Sequence, residues 1–326
     1  MTSSMLSKKF ILLALITLLL CNIAYAQETN YNGYIWRNDV EDNTNMPRNF
    51  RTSKSNFQKM SDKYDLDSNY IPSRKGLDEL DISGSAQFSP KQFKSLIKYL
   101  KTQTDKDIYI IDLRQETHGF FNDNTAVSWY GLHDWGNIDK TTSEIIKDER
   151  QRLNAQIGKT IEIGNISSDK VISTDKIKVH SAMTEKDLVH KYGLNYVRIT
   201  TTDHIWPKPE YIDQFIDLYR NLPPNAWLHF HCEAGAGRTT EFMAMYDILK
   251  NPDIPLKDIL YRQYLIGGNY VAYTVDTNKS NNWKDIYYNQ KATMIKKFYQ
   301  YAKENHNNNY KISWSKWLQT HLKKEL

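Results

Sequence analysis

Between Trp227 and Leu249 the chain passes from a short apolar run, Trp227 to Phe230, through His231-Cys232-Glu233-Ala234-Gly235-Ala236-Gly237-Arg238-Thr239-Thr240, and into a segment with apolar residues at Phe242, Met243, Tyr246 and Leu249. Such a pattern reads as buried strand, tight loop, helix. It places the loop at the C-terminal edge of a sheet, where open α/β sheets bind their ligands. The rest of the chain agrees. Ile108 to Leu113 is a compact β-branched run, and Tyr196 to Thr200 reads as another strand. Helical spacing marks Phe88 to Thr102, which opens on Ser89-Pro90, and then Thr142 to Ile157, Pro209 to Leu222 and Ile286 to Glu304. The predicted fold is α/β, a mixed central sheet flanked by helices.

Composition narrows the class further. With 326 residues, 40% hydrophobic and 25% charged, the chain is neither disordered nor collagen-like nor a coiled coil. A formal charge of +5 is too small for coating nucleic acid, so any basic site must be local. Lys8-Lys9, the apolar run Phe10 to Leu20 and Ala24-Tyr25-Ala26 form the pattern of a secretory leader. Its apolar run is short for a membrane span. Cleavage after Ala26 leaves an exported chain, periplasmic or secreted, with a formal charge of +3 and one cysteine, Cys232. That chain has no membrane segment and no call on nucleic acid. Residues 27–157 and 195–326 are expected to form the core. The stretch 158–194, with its short alternating segments and Gly158, Gly164 and Ser167-Ser168-Asp169, is expected to form a small β subdomain.

Cys232 and Arg238 are separated by five residues, and a Thr follows the Arg. Five residues can curl so that their N–H groups converge on one point, beside the positive end of the helix that follows. Gly235 and Gly237 permit backbone angles that other residues resist, and Glu233, Ala234 and Ala236 complete the ring. Arg238 offers a planar fork for two phosphate oxygens. The same field favours thiolate over thiol at Cys232, a nucleophile for phosphorus. Thr239 can donate to the sulfur when it departs. A metal site from His229, His231 and Cys232 is the rival reading. His229 and His231 share a strand face, but Cys232 would point elsewhere, and the glycines and Arg238 would have no role.

Phosphoryl transfer also needs a proton for the leaving oxygen. Asp203, in Thr201-Thr202-Asp203-His204-Ile205-Trp206-Pro207, follows a predicted strand and is the candidate acid, on a loop whose closure would exclude water and raise its pKa. Its rival role is a cap for the helix beginning near Pro209. Asp112, Arg114 and Glu116 read as an ion-paired support at a strand end.

These motifs, with Gly33-Tyr34-Ile35-Trp36-Arg37, Pro47 to Arg51, Pro72-Ser73-Arg74, Ile82 to Ser85, Asp112 to Gly119, Val127 to Gly131, Ile259 to Gln263 and Trp283-Lys284, resemble the bacterial protein-tyrosine-phosphatase-like phytases, or cysteine phytases, over nearly the whole chain after the leader. The resemblance implies a tyrosine-phosphatase core with a small β-barrel-like domain, and stepwise removal of phosphates from inositol hexakisphosphate without metal or cofactor. It makes Cys232 the nucleophile, Arg238 the clamp and Asp203 the acid, with His204 lining the pocket. Arg37, Lys284 and Lys291 fall where the family places cations for substrate. The chain departs from the family in lacking a clear basic loop within Ile161 to Lys176, and in having Leu132 where a polar residue is expected. Two other functions fit parts of the pattern. One is a secreted tyrosine phosphatase, favoured by the negative charge of Glu233. The other is an inositol phosphate binding module without turnover, disfavoured by intact Cys232, Arg238 and Asp203.

Overall fold

The computed structural model describes residues 34–167 and 170–322, so the predicted leader and Cys21 lie outside the described residues. Five strands form the core sheet in the order β10 (Asn195–Thr201), β4 (Asp107–Arg114), β11 (Ala226–His231), β3 (Ile82–Ser85) and β2 (Arg51–Thr52). The first four run parallel and β2 antiparallel, a mixed sheet as predicted. Side chains alternate across it. Ile108, Ile110 and Trp227 pack with Phe93, Leu96, Ile97 and Leu100 of helix α1 (Pro90–Gln103). Ile111, Leu113, Leu228 and Phe230 pack on the other face with Ile212, Phe215 and Ile216 of α4 (Pro209–Asn221), and with α5 (Gly237–Lys250). Ser89 and Gln92 close a capping box at the start of α1.

Helix α5 carries the residues that follow the cysteine loop, and it is buried on nearly every side. Helices α6 (Leu256–Leu265) and α7 (Asp285–Asn305) cover it. The apolar positions read from the sequence do not by themselves account for that burial. It also depends on paired polar residues: Asp247 accepts from Arg262 and from Gln263 at 2.9 Å, and Glu241 pairs with Lys291 at 2.6 Å.

The second sheet has the order β8 (Lys170–Lys178), β7 (Thr160–Ser167), β1 (Ile35–Val40), β6 (Thr125–Tyr130), β5 (His118–Phe121) and β9 (Ala182–Met183). Here the expected boundary at 158–194 gives way. That stretch supplies β7, β8 and β9, but β1, β5 and β6 come from earlier in the chain. The physical reason is that a hairpin alone buries too little. Ile163 and Val179 find their core against Trp36, Phe121, Val127 and Leu153, the last from helix α2 (Thr142–Asn154). Helix α3 (Glu185–Lys191), inside the same stretch, packs Leu188 and Val189 on the core sheet instead. Among the described residues the sheet has two ends, β8 and β9, so the barrel-like closure implied by the resemblance is not seen. Its strand β1 delivers Arg37 to the cleft above the core sheet.

Candidate active site

Cys232 leaves β11 at the centre of the parallel strands and is 2% exposed. The loop after it is tied from outside by its carbonyls. Glu233 O accepts from the Gln87 amide at 2.9 Å, Ala234 O from Asn49 Nδ2 at 2.8 Å and Gly235 O from Arg51 Nη1 at 2.7 Å. Ala236 O accepts from the Thr240 amide at 3.2 Å. A trans peptide points its N–H opposite its C=O, so these tethers turn the amides of residues 234–237 toward the inside of the loop. Only Gly235 uses the left-handed region, with φ +68°, and a Cβ there would lie 2.2 Å from the Ala86 nitrogen. Gly237 has ordinary backbone angles, and a Cβ there would meet nothing nearer than Lys291 Nζ at 3.9 Å. Of the two glycines given conformational roles, one needs it. Thr239 Oγ1 donates to Cys232 Sγ at 3.2 Å, as expected.

Arg238 is held by more than the sequence indicated. Glu116 takes the end of its fork with two bonds, Nη1 to Oε2 at 2.7 Å and Nη2 to Oε1 at 2.9 Å. Nε lies 3.1 Å from Asp203 Oδ1 but is buried without a hydrogen bond among the described residues, which leaves it for a phosphate oxygen. Behind Glu116 runs a chain of buried charges. Arg114 donates to Glu116 at 2.8 Å and to Asp39 at 2.7 Å, Asp39 accepts from Arg37 at 2.8 Å, and Arg37 Nη1 reaches Asp134 at 3.2 Å. Burial alone would raise the Glu116 pKa, but Arg238 and Arg114 outweigh it and hold the carboxyl well below its ordinary range. Asp134 goes the other way. Burial pushes it up to about 7 against the attraction of Arg37, with help from Glu116 and Asp203.

Asp203 sits at the end of β10 with its side chain 24% exposed, between Arg238 and His204 Nε2 at 3.1 Å. Burial works to raise its pKa, as the sequence led us to expect, yet Arg238 and then His204 win and hold it below the ordinary carboxylate value. The acid is therefore ionised at neutral pH in the free site. His204 is pushed down to about 4, by burial first and by Lys284, Lys291 and Arg238, against the pull of Asp203, so its ring is neutral at neutral pH and gains charge only in the acid range where Asp203 itself titrates. The loop is pinned from several sides. Trp135 Nε1 donates to the Asp203 carbonyl at 3.0 Å, Gln290 Oε1 accepts from the Trp206 amide at 3.2 Å, and the Trp283 ring packs edge-on to His204.

These groups floor a cleft of about 600 Å³. Six cationic side chains line it: Arg37, Arg48, Lys63, Arg238, Lys284 and Lys291. The expected rim cations thus reach the cleft, but not alike. Arg37 is 8% exposed and committed to two carboxylates, and Lys291 is buried against Glu241, whereas half-buried Lys284 lies over the Trp283 ring. Arg48, Lys63, Asp39, Asp134 and Trp135 were not singled out from the sequence. Arg48, Asp134 and Trp135 meet partners distant in the chain, Asp39 on β1 links nearby Arg37 to distant Arg114, and Lys63 sits in a short 3-10 turn, so no local spacing marks their place at the cleft. Glu233 is paired with Arg48 at 3.2 Å. His229 contacts Ser83 Oγ at 2.9 Å and Ser85 Oγ at 3.1 Å, and His231 meets Glu185 at 2.7 Å. Among the described residues His229, His231 and Cys232 do not gather as a ligand set; the group whose side-chain atoms do come within ligand distance of one another is Asp112, His118 and Glu185.

A cysteine on a looped phosphate cradle, a guanidinium beside it and a carboxyl above it, at the C-terminal edge of a parallel sheet, define the cysteine phosphatase class. The family model of PTP-like phytases, described by inositol hexakisphosphate, matches residues 111–250. A PTP-like phytase of Bdellovibrio bacteriovorus is 34% identical, with TM-score 0.68, covering 88% of this chain and 95% of that one. The chain belongs to the PTP-like phytases. The tandemly repeated protein tyrosine phosphatase like phytase of Mitsuokella multacida is 54% identical, with TM-score 0.84, over 89% of this chain and 49% of that one. A PTP-like myo-inositol phosphatase of the same organism, in complex with myo-inositol-(1,3,4,5)-tetrakisphosphate, matches with the same values. The effector protein hopD2 of Pseudomonas syringae pv. tomato is 26% identical over 74% of this chain and 52% of that protein. The chain spans about half the length of these last relatives.

Proposed function

We propose that the protein is a phosphoric monoester hydrolase that removes phosphates stepwise from inositol polyphosphates, myo-inositol hexakisphosphate above all. The observation that carries this reading is the convergence of Cys232, Arg238 and Asp203 on the floor of a cleft lined by six cationic side chains. In the first step the Cys232 thiolate attacks phosphorus, the bond from phosphorus to the inositol oxygen breaks, and Asp203 gives that oxygen its proton. A phosphate in the loop shares the positive field of Arg238 that holds Asp203 ionised, and its own negative charge raises the carboxyl's proton affinity, so substrate binding draws a proton from solvent onto Asp203. In the second step water attacks the phosphocysteine, Asp203 takes the water's proton, and sulfur leaves as thiolate with the Thr239 hydrogen bond upon it. The side chains and amides of this chain supply every group used.

A phosphotyrosine substrate gains less from this cleft. The Glu233 charge that would favour it is offset by Arg48, and a monoester with one phosphate leaves the rim cations unused. Phosphate release from phytate and from a phosphotyrosine peptide, measured side by side, tests the reading. Phytate is expected to be the better substrate by kcat/KM, and the reverse order would replace the proposal. The leader-like residues 1–26 support export to the periplasm or beyond. The amino terminus of the exported protein is expected at Gln27, and recovery of the uncleaved chain in the cytoplasm would refute it.

A further inference from the structure

The segment Arg48 to Arg51 lies some 180 residues before the cysteine loop in sequence, yet it clasps that loop from behind. Asn49, itself at φ +54°, gives its amide to Ala234 O. Arg51 is 2% exposed and pairs with no carboxylate among the described residues. Nη1 donates to Gly235 O at 2.7 Å and to Asn49 O at 2.9 Å, and Nη2 donates to Thr240 Oγ1 at 3.0 Å. Its Nε is buried with no partner among the described residues. A buried guanidinium without a counter-ion is costly, and its partners here are neutral oxygens of Asn49, of the loop and of the first turn of α5. Burial pushes the guanidinium down to about 10, and Cys232 is the one influence that opposes this.

We propose that Arg51 is a positioning residue of the reaction: from behind the loop its fork keeps the Gly235 carbonyl turned outward, and its unpaired charge favours the ionised sulfur of Cys232. The Gly235 tether holds the neighbouring Ala236 amide inward, and the charge has its counter-ion in the thiolate and, later, in the bound phosphate. The proposal rests on the phosphatase reading of the site. Its test needs no phosphorylated substrate, so the two can fail separately.

Iodoacetate inactivation of Cys232 is followed from about pH 4 to about pH 8 in the full chain, because alkylation reads the thiolate fraction. Arg51→Met is expected to move the inactivation midpoint up by about one pH unit and to slow inactivation roughly tenfold on the acid side. Asn49→Ala, which removes the neutral tether next door, is expected to leave the midpoint in place. Arg51→Lys, with charge but no fork, is expected to keep the midpoint within about half a unit while losing roughly tenfold or more in kcat for nitrophenyl phosphate. A profile of Arg51→Met that superposes on the wild type, with only the melting temperature lowered, overturns the proposal, as does an equal displacement in Asn49→Ala. Should Arg51→Met fail to fold, Arg51→Lys decides alone: wild-type turnover in that variant overturns the role of the fork.

Discussion

Lys284 and Arg37 both line the cleft, and truncating them is expected to have opposite signatures. Lys284 is half-buried and stacks on Trp283. At about 4 Å from a substrate phosphate, an effective dielectric near 20 gives an attraction of about 4 kcal/mol per unit charge. Solvent competition at a partly exposed position leaves up to about 1 kcal/mol of that. Lys284→Ala is therefore expected to raise KM for phytate by up to about fivefold, and to leave KM for nitrophenyl phosphate nearly unchanged, because the small substrate stays in the Cys232 loop. Added salt should shrink the difference, since rim charges are screened over about 8–10 Å. Arg37→Ala removes one member of the buried chain through Asp39, Arg114 and Glu116 to Arg238. Breaking a buried ion pair costs about 3–5 kcal/mol, a fall in melting temperature on the order of 10 °C for a chain of this size. It should lower turnover of both substrates by disturbing Arg238. The assay is phosphate release from each substrate at low and high salt, with a thermal melt of each variant. Equal effects of Lys284→Ala on the two substrates, or an Arg37→Ala protein with wild-type melting and only a phytate defect, would refute the division between rim and buried network.

Asp203→Asn is expected to lower kcat for phytate by roughly 10²–10⁴ and to cost much less for nitrophenyl phosphate, whose leaving group needs no acid; equal losses would make Asp203 structural. Because Arg238 and His204 hold the Asp203 pKa below the ordinary carboxylate value despite burial, the free enzyme carries the catalytic proton only in acid. The kcat/KM for phytate should then already fall as pH rises above about 4, the ordinary carboxylate value, and Asp203→Asn should flatten that slope; a slope unchanged in the variant would assign it to another group. Gly235→Ala would drive a Cβ against the Ala86 nitrogen at φ +68°, and should abolish turnover in circular-dichroism-competent protein. Gly237→Ala meets no such neighbour and should melt like the wild type.

The parts of the fold legible in the sequence are those whose signal is local. Ser89-Pro90 announced α1, and the compact β-branched run from Ile108 to Leu113 announced β4, because caps and apolar runs are written within a few residues. The second sheet was not legible as such. Its strands β1, β5 and β6 lie far from β7 and β8 in sequence, and a strand that pairs across such distances looks like any short apolar run. The stretch 158–194 therefore looked like a unit, when it is three strands and a helix that belong to two different cores. Helix α5 was found from its apolar positions, but its burial on all sides depends on Asp247 and Glu241 meeting partners from α6 and α7, which no pattern inside α5 discloses.

The same division runs through the active site. Cys232, Arg238 and Thr239 were legible because the phosphate loop is one continuous piece of chain, and its chemistry fixes the spacing. Asp203 could be placed as the acid, but not its ionisation state. Exclusion of water argued for a raised pKa, and only the position of Arg238 Nε, 3.1 Å away, shows why the carboxyl is lowered instead. Arg37 shows the limit most clearly. As a cation at the right place in the chain it looks like a substrate contact. In the fold it is the outer end of a line of alternating charges that runs through Asp39, Arg114 and Glu116 to Arg238. A phosphate placed near Arg37 would compete with Asp134 and Asp39 for it, and the contiguous ion pairs through Asp39, Arg114 and Glu116 are the contacts by which such a shift would reach Arg238. The rim of the cleft and the cysteine loop are in this way joined by contiguous buried ion pairs, and Arg37 belongs both to that line and to the cleft lining.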